Sequence, residues 1–165
     1  MTMLKPGAAR AVADVTRGML LATIDIATTP ERVFRAVTSE ELPRWWGSAD
    51  LYRTTKWTGD VRAGGAWRTE GVSREGKPFS VHGEFLEVDP PHKLVQTWQY
   101  DWDPSGSVTT ITWLFTPIAG GTRVTVRHED FGDAHAACES HTRGWELVLA
   151  WLSLHFPCST NGETP

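Results

Sequence analysis

Cysteine is scarce in this chain: Cys138 and Cys158 are the only two among 165 residues. They fall on and just after a stretch that reads as one helix, which sets them roughly 30 Å apart along its axis, too far for a disulfide. Two unpaired thiols fit a reducing, cytoplasmic setting. No apolar run is long and uninterrupted enough to span a bilayer, so no membrane partner is expected. No apolar segment ahead of a small-residue cleavage site reads as a signal peptide. Positive charge is thin as well. The 16 Lys and Arg are scattered and the formal net charge is −4. Without a basic run or stripe there is no nucleic-acid footprint.

Recognisable catalytic patterns are also missing. There is no Gly-x-Ser-x-Gly elbow, and neither cysteine sits in an electropositive motif. Gly64-Gly65-Ala66-Trp67 lacks the lysine and the Ser or Thr of a phosphate loop. His128, His135, Cys138 and His141 are close in sequence, but positions 135, 138 and 141 drift around a helix. None of their spacings is a metal-ligand pattern, so no metal and no cofactor is expected. Acid–base work by Glu84 or His128 has no specific signal.

What the chain has in excess is tryptophan, nine in all. Indoles bury large areas, carry an N–H that wants a partner, and line sites for flat molecules well. Two of them, Trp145 and Trp151, fall on the stretch around which the chain is organised, Asp133 to His155, closed by Pro157. Asp133 is placed to cap its N-terminus, and proline cannot continue the ladder. Roughly 22 residues at 1.5 Å each give a rod of about 33 Å. Trp145, Val148, Leu149, Leu152 and Phe156 form one stripe at helical spacing. Leu147, Trp151 and Leu154 put apolar groups on the other side. Such a helix must be covered on more than one side, and a homodimer is one way to do it.

Upstream, residues 1–17 are small and polar without clear period, and read as a mobile lead-in with at most a short helix over 8–15. A strand over 18–27 follows. Thr29-Pro30-Glu31 then announces a helix with Thr29 as N-cap and Pro30 at the first position. A second short helix or turn spans 39–47. Six strands at hairpin spacing come next, over 51–58, 66–72, 79–88, 93–101, 108–116 and 122–129. Alternation puts Val81 and Phe85 on one face, Leu94, Gln96, Trp98 and Tyr100 on one face, and likewise Ile111, Trp113 and Phe115, and Val124, Val126 and His128. Sequential hairpins favour an antiparallel meander, and the closing helix makes an α+β class. One domain over 18–157 is expected, with 158–165 a tail.

Several stretches together carry a family resemblance: Thr29-Pro30-Glu31-Arg32-Val33-Phe34, Trp45-Trp46-Gly47, Gly64-Gly65, Gly83 to Pro91, Gly121-Thr122-Arg123-Val124, His128 and Gly144-Trp145. They resemble the domain shared with the C-terminal part of the activator of Hsp90 ATPase. That family belongs to the START-like (SRPBCC, Bet v 1-like) superfamily of ligand-binding and polyketide-cyclase-like proteins. The resemblance implies a helix-grip fold: a curved antiparallel sheet wrapped around the long C-terminal helix, with a cavity between them. It also implies three functions. The first is binding of a small apolar ligand, aromatic or lipid-like. The second is a cyclase- or hydrolase-type enzyme on the same cavity, and the third is an interaction module for an Hsp90-type chaperone. The eukaryotic activator's other domain, which carries much of its stimulation, has no counterpart in the resemblance.

If the faces are as read, the ligand-binding residues are Trp46, Trp67, Phe85, Gln96, Trp98, Trp113 and His128, with Trp145 and Val148 as the helix wall. The Trp45-Trp46 turn guards the mouth, and His128 or Gln96 orients the ligand. Trp113→Ala is expected to weaken binding more than it unfolds the chain. A one-residue slip of a strand would exchange the faces.

Overall fold

The computed structural model describes residues 8–157. Nine strands form one antiparallel sheet. They are β1 (Arg10–Asp14), β2 (Met19–Ile26), β3 (Gly47–Ser48), β4 (Tyr52–Gly59), β5 (Ala66–Ser73), β6 (Pro78–Asp89), β7 (Lys93–Tyr100), β8 (Thr109–Ile118) and β9 (Gly121–Glu129). Helix α1 (Pro30–Val37) and a 3-10 turn (Leu42–Arg44) lie between β2 and β3, and helix α2 (His135–His155) follows β9. The strand order is β1-β2-β9-β8-β7-β6-β5-β4-β3. From β4 to β9 each strand therefore pairs with the next, while β2 returns to close against β9. This is the helix-grip architecture, with α2 lying across the concave face of the sheet.

Local chemistry sets most of these elements. Thr29 caps α1 by accepting from the Arg32 amide at 3.3 Å, and Pro30 occupies the first turn. Two bulges bend the sheet. The β4–β5 register shifts between Thr54 and Lys56, and the β6–β7 register between Phe85 and Glu87. An extra residue on one strand kinks it and increases its twist, which curls the sheet towards α2. The stripe Trp145, Val148, Leu149 and Leu152 is buried, and Cys138 extends it two turns upstream. The core also takes Leu20, Ile24, Ile26, Ile111, Phe115, Val124 and Val126 from the sheet.

Three readings of the sequence need correction. Residues 10–14 form a strand instead of a lead-in or short helix: β1 pairs along its whole length with the edge of β2. Its side chains alternate, with Ala11 and Ala13 packed towards the core and Arg10, Val12 and Asp14 outside. Pairing on an open edge outweighs the helix propensity of alanine. Residues 1–7 of the expected lead-in, the tail 158–165 and Cys158 lie outside the described residues. Asp133 is not the N-cap of α2. Ala134 holds that place with no side-chain bond, because the turn after Phe131 leaves Asp133 one residue too early. Nor is the second apolar side of α2 fully covered within the chain. Trp151 packs edge-on against Tyr52, but Leu147 and Leu154 are exposed.

One glycine of α2 invites a test. A Cβ at Gly144 would meet nothing within 4 Å. Glycine inside a helix is less stable than alanine by roughly 0.5–1 kcal/mol. Gly144→Ala is expected to raise the unfolding free energy by that amount, read as a higher urea midpoint at unchanged m-value. A lower midpoint would mean that the position is constrained by packing.

Candidate functional site

Between the concave sheet and α2 lies a cavity of about 470 Å³, within the range of small-molecule sites. A protein interior is otherwise filled to crystal-like density, so a void of this size is a feature of the fold. Strands β4 to β9 provide one wall through alternate residues. The helix provides the other through His141, Gly144, Trp145 and Val148, which are spaced i, i+3, i+4 and i+7 and so share one face.

All nine residues expected from the sequence as ligand contacts border this cavity: Trp46, Trp67, Phe85, Gln96, Trp98, Trp113, His128, Trp145 and Val148. Seven of the nine tryptophans do so, all but Trp45 and Trp151. No Asp, Glu, Lys or Arg lines it. The indoles form a connected cluster around Trp46. Its ring stacks on Trp98 at 5.8 Å and meets Trp113 and Trp145 edge-on at 6.4 and 5.9 Å. Aromatic pairs at such separations add about 0.5–1.5 kcal/mol each beyond area burial.

The mouth is elsewhere than expected. Trp45 donates from Nε1 to the Ala36 carbonyl at 2.9 Å and is core; Trp46 is also buried. The exposed lining residues are Leu51 and Trp102. Trp102 leans on Tyr100 at 4.3 Å and meets Phe79 edge-on at 5.7 Å. The opening is therefore an aromatic rim at the β7–β8 hairpin. Trp45 and Trp46 follow a tight 3-10 turn and lead directly into the edge strand β3, which pairs with β4.

Among the described residues the indole N–H groups of Trp67 and Trp98 are buried at this cavity without a hydrogen-bond partner, whereas both histidines in the wall are committed. The indole N–H of Trp145 can only donate, so His128 Nδ1 accepts it at 3.0 Å and carries no proton. The ring proton of His128 is then on Nε2, which donates to Thr109 Oγ1 at 2.7 Å. Both nitrogens are used. Burial, with the ring of His141 adding to it, holds the His128 imidazole well below its usual range. It is a neutral, fixed structural histidine, unsuited to taking a proton from a ligand. Gln96 is buried, and its Oε1 accepts from Trp113 Nε1 at 3.0 Å.

A second pair borders the cavity near its rim and was missed from the sequence. The Ala137 carbonyl can only accept, so His141 Nδ1 carries the proton and donates to it at 2.6 Å. His141 Nε2 then accepts the Tyr100 hydroxyl at 2.7 Å. Burial lowers the His141 imidazole, opposed by the Ala137 bond, and pushes the Tyr100 phenol up to about 12. Both are neutral at pH 7. The signals were present: Tyr100 alternates with Trp98, and His141 precedes Trp145 by one helical turn. Tyr52 also lines the cavity and accepts from Trp46 Nε1 at 3.1 Å. Among the described residues no group of three or more His, Cys, Asp or Glu side chains is placed to hold a metal ion.

Residues 27–156 match the family of activator of Hsp90 ATPase homolog 1-like proteins. The chain belongs to this family. The matched span runs from the end of β2 to the end of α2, so it contains the whole cavity wall. Solved structures agree on the fold. A protein from Rhodobacter sphaeroides superposes with a TM-score of 0.77 at 22% identity, over 90% of this chain and 97% of that one. A protein from Mycobacterium smegmatis gives 0.74 at 20% identity, over 88% and 94%. The AHSA1 protein from Silicibacter pomeroyi gives 0.69 at 26% identity, over 83% and 96%. No curated protein matches the chain. No helix among the described residues is long and apolar enough to cross a membrane.

Proposed function

We propose that this member of the activator of Hsp90 ATPase homolog 1-like family binds an uncharged, flat, largely apolar small molecule between the sheet and α2. One observation carries the reading: a cavity of about 470 Å³ walled by seven indoles and by no Asp, Glu, Lys or Arg. A space with apolar walls gains free energy by exchanging water for apolar surface, at roughly 25 cal/mol per Å². A charged ligand would lose its hydration there with no counter-charge to replace it. The ligand enters past Leu51 and Trp102 and lies against the Trp46–Trp98 stack.

Native mass spectrometry tests this. After incubation with the small-molecule fraction of a cell extract, the native protein is expected to carry an added mass that denaturation removes. A bare mass in both spectra would count against the reading. The substitution suggested by the sequence, Trp113→Ala, is not a clean probe. Trp113 is 1% exposed and stacks on Phe115 at 6.1 Å, so its loss is a core deletion costing about 3–5 kcal/mol.

The enzyme alternative has one observation in its favour, the neutral Tyr100–His141 pair at the cavity. Such a pair can pass a proton between a ligand hydroxyl and the imidazole. The chaperone-module alternative rests on the family's name.

A further inference from the structure

We infer that the ligand of this cavity presents a neutral carbonyl-type oxygen to the side-chain amide of Gln96. The inference rests on the ligand-binding reading above and adds the polarity of one contact to it.

The two ends of a glutamine amide are distinguished by their partners. Trp113 Nε1 has a proton and no lone pair available, so the Gln96 atom 3.0 Å from it is the oxygen. The nitrogen therefore takes the remaining position. Gln96 is 6% exposed and borders the cavity, and its nitrogen donates to no described residue. Among the described residues the side-chain atoms fully buried without a partner are Trp67 Nε1 and Trp98 Nε1, which border the same cavity; the Gln96 nitrogen is not shut off in that way, so its two donors stay open to a partner. The cavity is the space from which that partner comes.

The surroundings narrow the partner's chemistry. A carboxylate would need a cation, but no Lys or Arg lines the wall, and His128 and His141 are held neutral. A hydroxyl would bring its own proton and need an acceptor beside it. The two acceptors nearest Gln96 already hold indole donors: Gln96 Oε1 takes Trp113, and the single lone pair of His128 Nδ1 takes Trp145. A ketone, quinone, lactone or amide oxygen accepts without donating, and it lies in the plane of a flat ring system that the indoles can sandwich.

A matched pair of probes tests this: 9-fluorenone, and fluorene, which has the same shape without the carbonyl. Their affinities are measured by fluorescence quenching for the wild type, for Gln96→Leu and for Gln96→Met. Both variants remove the amide NH₂ and leave an apolar side chain of similar size that can donate nothing to the ketone. The fluorenone-to-fluorene affinity ratio is expected to fall roughly three- to tenfold in both variants, the range of one neutral hydrogen bond, with fluorene itself little changed. The C=O stretching band of fluorenone bound to the wild type is expected below its position in hydrocarbon solvent. An unchanged ratio, or a hydrocarbon-like C=O band in the wild-type complex, overturns the inference while leaving the cavity reading intact. Failure of both probes to bind the wild type overturns the cavity reading and the inference with it. If the variants fold poorly, the wild-type band decides alone.

Discussion

Gly83→Ala is expected to destabilise this protein by about 3 kcal/mol, the upper end of the usual range for overpacking. The cause is a close approach of two backbones. A Cβ at Gly83 would stand 2.0 Å from the Thr97 carbonyl oxygen and 2.7 Å from its carbon. Both atoms belong to β7, a central strand held on each side by β6 and β8, so neither can swing away as the tip of a long side chain would. The same Cβ would lie 2.8 Å from Trp67 Nε1 and push that indole towards the cavity. The local ladder already departs from regularity, because the Glu84 amide bonds the Thr97 hydroxyl at 2.9 Å. Urea denaturation measures the loss, with Gly144→Ala as the contrasting case. Equal stability of Gly83→Ala and wild type would mean that β6 and β7 stand further apart than described.

Acid is the second large effect. His128 is held neutral by burial, and His141 by burial against the opposing Ala137 bond. The direction follows from linkage. Above the unfolded-state pKa near 6.5 neither state binds the proton, and these groups leave stability unchanged. Below it the unfolded chain takes up protons that the folded chain refuses, so stability falls as pH falls. Each histidine protonated only when unfolded contributes a slope of at most about 1.4 kcal/mol per pH unit. His128 sustains its slope further because a proton on Nδ1 would face the Trp145 N–H, donor against donor. His141 departs less, since its Nε2 meets a hydroxyl that can turn and accept. Denaturation curves between pH 7 and pH 5 are expected to show a steady loss, reduced in His128→Gln relative to that variant's own value at pH 7. Stability independent of pH across this window would contradict the described hydrogen bonding.

The sheet faces were legible in the sequence because β7, β8 and β9 alternate cleanly, so a slip of register would have exposed Trp113, Val126 and His128 together. The helix stripe was legible for the same reason at a period of 3.6. The N-terminal strand was not. Its alanines carry no strand signal, and it exists because the β2 edge offers unpaired backbone groups. The mouth was misread for a related reason. Exposure of Trp102 against burial of Trp46 depends on which hairpin folds over the cavity, and no local pattern records that. The Tyr100–His141 pair spans 41 residues of chain, and only the tertiary fold joins it. The orientation of Gln96 likewise needed the position of Trp113 on the neighbouring strand.

The central claim is that the space against α2 takes a ligand. Gly144→Leu tests it most directly, because the residue lines the cavity and a side chain there meets nothing within 4 Å of its first carbon. The measurement is a fluorescence titration with the neutral apolar probe N-phenyl-1-naphthylamine. The wild type is expected to bind it saturably at one site per chain, and the folded Gly144→Leu variant to lose that binding. Saturable binding that survives Gly144→Leu unchanged, or no saturable binding by the wild type, would contradict the account.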